Sequence, residues 1–150
     1  MTAPISYTGQ IHAGCAARAG QGVLLLGPPG AGKSDLLLRL VDAGYALVAD
    51  DRVVLSDGWA SPPAALAGLL EIRGMGIARL PYLARVRPVL AVRLVGPADG
   101  PARLPPAFAD PVTGLPEIRL TTDLASAVAR VNLALDWLDG RCKLLTSEQM

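Results

Sequence analysis

The 150-residue chain has little of several things, and each shortage narrows what it can do. Its two cysteines, Cys15 and Cys142, lie far apart and in no ligand spacing such as C-x-x-C, so both are expected as plain reduced residues of a cytoplasmic protein. It has one histidine, His12, and two lysines, Lys33 and Lys143. It has no excess of charge: 14 basic residues against 13 acidic ones give a net +1. That balance argues against nucleic acid or a membrane surface as partner, since either needs a concentrated basic face. No apolar run approaches the ~18 residues of a membrane span. Met1 to Gln10 carries neither a basic segment nor a long apolar stretch, so no signal peptide is expected. Apolar residues are plentiful, at 51% of the chain. That is enough for one buried core, and a single domain over residues 1–150 is expected.

The first ten residues read as an irregular lead-in or an edge strand. Gly22 then opens Val23-Leu24-Leu25-Leu26, a short unbroken apolar run that reads as a strand buried on both faces. Ser34 to Ala43 has helical periodicity, with Leu36, Leu37, Leu40 and Val41 on one stripe and Gly44 as a natural stop. Tyr45 to Ala49 reads as a second buried strand running into Asp50-Asp51. Val53 to Leu55, the Asp57-Gly58 turn and Trp59 suggest a hairpin. Val89 to Val95 is a further strand, Gly96 to Pro116 a proline-rich excursion, and Ile118 to Leu120 a short strand. Leu124 to Leu138 reads as a helix capped by Thr122 or Asp123 and ended by Gly140.

Between the first strand and the first helix lies Gly27-Pro28-Pro29-Gly30-Ala31-Gly32-Lys33-Ser34, which satisfies G-x-x-x-x-G-K-[ST] at every fixed position. Glycines let successive backbone N–H groups curl toward phosphates, and the following helix adds its positive dipole end. Lys33 is the residue type that reaches β- and γ-phosphates, and a hydroxyl such as that of Ser34 joins a Mg²⁺ shell. The loop is therefore expected to hold ATP with Mg²⁺.

Asp50 and Asp51 end the strand after the loop's helix, at the sheet edge where such a loop sits. A carboxylate there holds Mg²⁺ or acts as a base. Neighbouring residues of a strand point to opposite sides, so one of the pair faces the phosphates and the other makes a structural contact. Spacing alone does not assign a role to His12.

The order of these pieces resembles the bacterial HPr serine kinase/phosphorylase family, specifically its C-terminal catalytic domain. The resemblance is carried by Ile11-His12-Ala13-Gly14, by Gly22 to Gly27 leading into the loop, by Leu47 to Asp51, and by Leu70-Glu71-Ile72-Arg73-Gly74-Met75-Gly76-Ile77. It implies a serine kinase acting on an HPr-like phosphocarrier protein. In that reading Asp50 takes the serine proton, His12 is its partner, Lys33 serves the phosphates, and Ser34, Asp51 and Glu71 are the metal ligands. Glu71, Arg73 and Gly74 belong to the run, Leu70 to Arg79, that would shape the docking place of the protein substrate. Ala102-Arg103-Leu104 resembles the family's Arg-Leu element, which makes Arg103 a phosphate-facing arginine. The resemblance also implies a homo-oligomer. It covers no counterpart of the family's N-terminal domain. Where the family has Pro-Val-Arg-Pro-Gly-Arg-Asn, this chain has Ile118 to Asp123, so phosphorylase activity is expected to be weak or absent.

The expected fold is an α/β P-loop domain: a mostly parallel central sheet, antiparallel additions at its edge and flanking helices. Two other functions fit the same loop. A small-molecule kinase would use Arg85 and Arg87 as lid arginines, and a regulatory module would sense ATP without catalysis.

Overall fold

A computed structural model describes residues 5–100 and 102–149 of the chain, so the first four residues of the expected lead-in lie outside the described residues. The strands are β1 (Gly9–His12), β2 (Gly14–Arg18), β3 (Gln21–Leu26), β4 (Ala46–Ala49), β5 (Arg52–Ser56), β6 (Trp59–Ser61), β7 (Leu69–Ile72), β8 (Gly76–Arg79), β9 (Arg87–Leu94), β10 (Phe108–Ala109) and β11 (Pro116–Leu120). The helices are α1 (Lys33–Asp42) and α2 (Ala127–Leu138). No helix among the described residues is long and apolar enough to cross a membrane.

The main sheet has six strands in the order β10-β11-β9-β3-β2-β4. β3, β9 and β11 are parallel neighbours, while β2 runs antiparallel to both β3 and β4. β4 thus shares the direction of β3 without touching it. The expected antiparallel additions at the edge hold for β10, which pairs antiparallel with β11. β2 corrects them, because it is inserted inside the sheet. The cause is local: Ala19 (φ 50°) and Gly20 (φ 79°) join Arg18 to its partner Gln21 in a two-residue turn, which forces β2 to lie beside β3.

β3 is buried on both faces, as expected of its apolar run. Val23 and Leu25 join Leu36, Leu37 and Leu40 of α1 and Val131 and Leu135 of α2 in one cluster. Leu24 and Leu26 join Cys15, Val53, Leu55 and Ala60 in another. The second cluster lies under a three-stranded antiparallel sheet, β1-β5-β6. The flanking helices share one core cluster, and this small sheet supplies the other. Each fully buried leucine in these layers contributes about 1.5–3 kcal/mol relative to an exposed one. Burial pushes the Cys15 thiol up to about 12, so it holds no thiolate near neutral pH and fits the inert role read from the sequence.

α2 begins at Ala127 behind Ser126, later than the Thr122 or Asp123 start expected from the sequence. Arg39 of α1 accounts for the delay. Its guanidinium donates to the carbonyls of Thr122 (2.7 Å) and Leu124 (3.4 Å), so these residues are held as turns against α1. The proline-rich excursion is anchored by a buried ion cluster. Arg93 donates to Asp110 (2.7 Å) and Glu117 (2.9 Å), and Arg119 donates to Glu117 (3.0 Å).

Candidate active site

α1 starts where the glycine-rich loop ends, at the carboxyl end of β3. Two of its glycines are there for different reasons. At Gly27 (φ 146°) a Cβ would sit 2.8 Å from the Leu94 carbonyl oxygen, so the loop leaves β3 tight against the end of β9. At Gly32 (φ 99°) a Cβ would sit 2.6 Å from Thr122 Cγ2, so the turn after β11 packs directly on the loop. Gly32 is also the N-cap and offers no side-chain cap, which leaves the first N–H groups of α1 open to an anion. Gly32→Ala is expected to destabilise the fold by about 1–3 kcal/mol through the positive φ and the clash. Denaturant melts should show it, with partial recovery when Thr122→Ala is added.

Lys33 Nζ donates to the carbonyls of Gly27 (2.7 Å) and Pro28 (3.1 Å), holding an ammonium against the loop. Ser34 Oγ donates to Asp50 Oδ1 (2.7 Å), although β2 lies between β3, which leads into the loop, and β4, which leads into Asp50. With strands ~4.8 Å apart, the loop and α1 must span roughly 10 Å of sheet to make that contact. The second oxygen of Asp50 accepts the Glu71 N–H (3.0 Å), which fixes the turn end of the β7–β8 hairpin beside the loop. Asp50 is buried and both its carboxylate oxygens are engaged.

Asp51 is the opposite case. The Arg52 N–H bonds the Asp50 carbonyl (2.8 Å) across Asp51, which has φ 69°. This three-residue turn leaves Asp51 exposed on the wall of the cleft, with no hydrogen bond to its carboxylate among the described residues. Non-glycine residues in such a conformation cluster at functional sites. The two acids diverge at this turn: the tied carboxylate is that of Asp50 and the open one that of Asp51.

A cleft of about 420 Å³ joins these groups. Its walls include Pro29, Gly30, Gly32, Lys33, Ser34, Asp50, Asp51, Glu71 and Arg73. The other expected loop residues, Gly27, Pro28 and Ala31, do not line it; the Ala31 N–H bonds the Pro28 carbonyl (3.1 Å). Gly74 sits at the hairpin turn, just beyond Arg73. Four acids (Asp35, Asp50, Asp51, Glu71) face two cations (Lys33, Arg73) across the walls, an oxygen-rich balance suited to a hard cation.

Two further expected site residues, His12 and Arg103, are also absent from the walls. His12 ends β1 opposite Arg52, exposed, one residue before the Ala13 N–H that bonds the Asp51 carbonyl (3.2 Å). It therefore adjoins the Asp51 turn without lining the cleft. Arg103 lines a separate cleft between α2 and the excursion, apart from the loop's cleft. Arg119, the arginine nearest in sequence to Thr121–Asp123, lines that second cleft too. Arg85 and Arg87 stack on Trp59 (3.9 and 4.1 Å to its centroid) and line no wall of the loop's cleft. Sequence reasoning missed Arg39 and the packing role of Thr122, because neither carries a motif signal.

The model of the HPr Serine kinase C-terminal domain family matches residues 4–84, from before β1 to beyond β8. The chain belongs to this family. The matched stretch holds every wall residue named above and His12, but not Arg103 or Thr122. The HPr kinase/phosphorylase of Clostridium tetani (strain Massachusetts / E88) is 38% identical over 81 residues, covering 51% of this chain and 27% of that protein. The HPr kinase/phosphorylase of Streptococcus thermophilus (strain ATCC BAA-491 / LMD-9) is 51% identical over 63 residues, covering 39% and 20%. The chain thus spans about a quarter or less of the length of these curated relatives. The solved structure of the Hpr(Ser) kinase/phosphatase from Coxiella burnetii has the same fold, with a TM-score of 0.74 at 23% identity, over 89% of this chain and 97% of that one. The HPr serine kinase fold therefore extends past the matched stretch, through β9 and β11 to α2.

Proposed function

We propose that the cleft binds ATP with Mg²⁺ and that the chain, in the cytoplasm, transfers the γ-phosphoryl group to a serine of an HPr-like phosphocarrier protein. One observation carries this reading: Lys33, Ser34, Asp50, Asp51 and Glu71 converge on one cleft at the start of α1, in a chain of the HPr serine kinase family. The donor set suits Mg²⁺. Ser34, Asp50 and Glu71 offer hard oxygens, yet no three acidic or metal-binding side chains among the described residues form a cage. Mg²⁺ commonly completes its shell with waters and phosphate oxygens, and when bound it draws off charge from the phosphoryl group.

Lys33 and the N–H groups at the start of α1 would hold the β- and γ-phosphates. Asp50 orients Ser34 and is better suited to the metal's surroundings than to proton transfer. Asp51 is the better base, since its carboxylate is open and its turn aims it at the cleft. His12, next to that turn, is placed to support it. Met75 and Ile77 of the β7–β8 hairpin are exposed (84% and 69%) beside the cleft. Such an apolar rim suits a protein acceptor. A small-molecule kinase is less well supported, because its candidate lid arginines are occupied by Trp59. Offering labelled ATP with either a metabolite panel or HPr from the same cell separates the two: label should enter HPr, and label entering a metabolite alone would overturn the assignment.

The reaction should run poorly in reverse. Phosphorolysis of phosphoserine needs a second anion site to hold the attacking phosphate in line. Thr122 packs on Gly32 and Asp123 adds a negative charge nearby, while Arg119 is held by Glu117 and Phe108. Phosphorylated carrier incubated with the chain, Mg²⁺ and phosphate should release pyrophosphate far more slowly than the forward reaction consumes ATP. Comparable rates would show that other residues supply the phosphate site.

A further inference from the structure

The cleft that receives Arg103 is unrelated to the glycine-rich loop. It has a volume of about 400 Å³ and lies between α2, β11, the segment 102–108 and the tail at 144–146. Its body is apolar: Ile118, Leu133, Trp137, Leu145 and Phe108 form much of the wall. Leu133 and Leu145 are half exposed, at 49% and 51%. A pocket of this volume suits one small molecule.

Three arginines border these apolar walls, and the acid beside them is already neutralised. Glu117 is buried and accepts from Arg93 Nε (2.9 Å) and Arg119 Nε (3.0 Å), so both its oxygens are taken. Arg119 lies flat on Phe108, 3.6 Å from the ring centroid. Arg130 gives only its Nε, to Ser126 Oγ (2.8 Å), which leaves its terminal amino groups without a partner among the described residues. Arg103 has no hydrogen bond or ion pair among the described residues. Glu148 on the tail is engaged by the Ala107 N–H and is not part of the wall. The surplus at the cleft is therefore cationic, set beside apolar surface.

We propose that this cleft is a binding site for a small soluble amphiphilic anion, a phosphate or carboxylate head carrying an apolar body. The head would be held by Arg103 and Arg130, whose planar forks form paired charge-assisted hydrogen bonds with such groups. The body would lie along Leu133, Trp137 and Ile118. An inorganic anion alone would leave the apolar walls wet, and an uncharged amphiphile would leave the arginines unused. The inference does not rest on the kinase reading, since none of these residues borders the loop's cleft.

Trp137 is one of only two tryptophans, so in the Trp59→Phe variant its emission reports on the cleft alone. Titration of that variant with hexyl phosphate should give a saturable change. Hexanol and inorganic phosphate should each bind at least about ten-fold more weakly, as should hexyl phosphate in the Arg103→Ala and Arg130→Ala variants. Both arginines are exposed, so these variants should melt like the parent. Lys33→Ala should leave hexyl phosphate binding unchanged. No saturable change, equal binding of hexanol, indifference to both arginine variants, or loss of binding with Lys33→Ala would each overturn the site. So would self-association of the chain that buries Trp137 and excludes the probe.

Discussion

Asp51→Asn is expected to lower phosphoryl transfer to the carrier serine by roughly 10²–10⁴-fold while leaving ATP affinity nearly unchanged. The amide keeps the shape of the carboxylate but cannot accept the serine proton. Asp51 sits exposed at the centre of a three-residue turn and its carboxylate has no partner among the described residues, so little else depends on its charge. Asp50→Asn should behave differently. Asp50 accepts from Ser34 Oγ and from the Glu71 N–H, and an amide satisfies only one of those two contacts as an acceptor. Its effect should appear as a loss of about 1.5–3 kcal/mol in Mg²⁺-dependent ATP affinity, together with a lower melting temperature. Calorimetry and single-turnover transfer on both variants distinguish the roles. Transfer abolished in Asp50→Asn at unchanged nucleotide affinity, with Asp51→Asn still active, would restore Asp50 as the base.

Lys33→Ala should weaken ATP binding by about 1.5–3 kcal/mol, the worth of a charge-assisted contact to phosphate. Among the described residues Lys33 Nζ bonds only the Gly27 and Pro28 carbonyls of its own loop. The turn that positions the loop is held elsewhere, by Gly27 against Leu94 and Gly32 against Thr122. The fold should therefore survive, and the thermal melt should move little. Wild-type ATP affinity in this variant would remove the loop from nucleotide binding altogether.

The sequence made β3, α1, β4 and the β5–β6 turn legible because each rests on a local signal. These signals are an unbroken apolar run, a 3.6-residue stripe, a second apolar run and an Asp-Gly pair. β2 was not legible. Its turn, Ala19-Gly20, places an alanine at positive φ, and no common turn signal announces that. The small sheet that covers one face of the main sheet depends on pairing β1 with β5, a contact between distant segments. The late start of α2 depends on Arg39 capturing two carbonyls from another part of the chain.

The site was legible in the same uneven way. The loop and the Asp50-Asp51 pair came from motif and spacing, because strand order brings them to one sheet edge, and Glu71 came from the family resemblance. The sequence announced that Asp50 and Asp51 diverge but not which one is tied, since that turns on a hydrogen bond from Ser34 across an inserted strand. Arg103 lies apart from the loop's cleft because the proline-rich excursion folds back onto α2 by way of Arg93, Asp110 and Glu117, an ion cluster with no periodic signature.

Transfer from γ-labelled ATP to purified HPr from the same cell, with Mg²⁺ and the whole chain, is the most direct test of the proposed function. Label should appear on the carrier as phosphoserine, should disappear when the acceptor serine is replaced by alanine, and should fall with Lys33→Ala and Asp51→Asn. A carrier that stays unlabelled while the wild-type chain binds ATP with full affinity would contradict the kinase assignment and leave a nucleotide-binding module in its place.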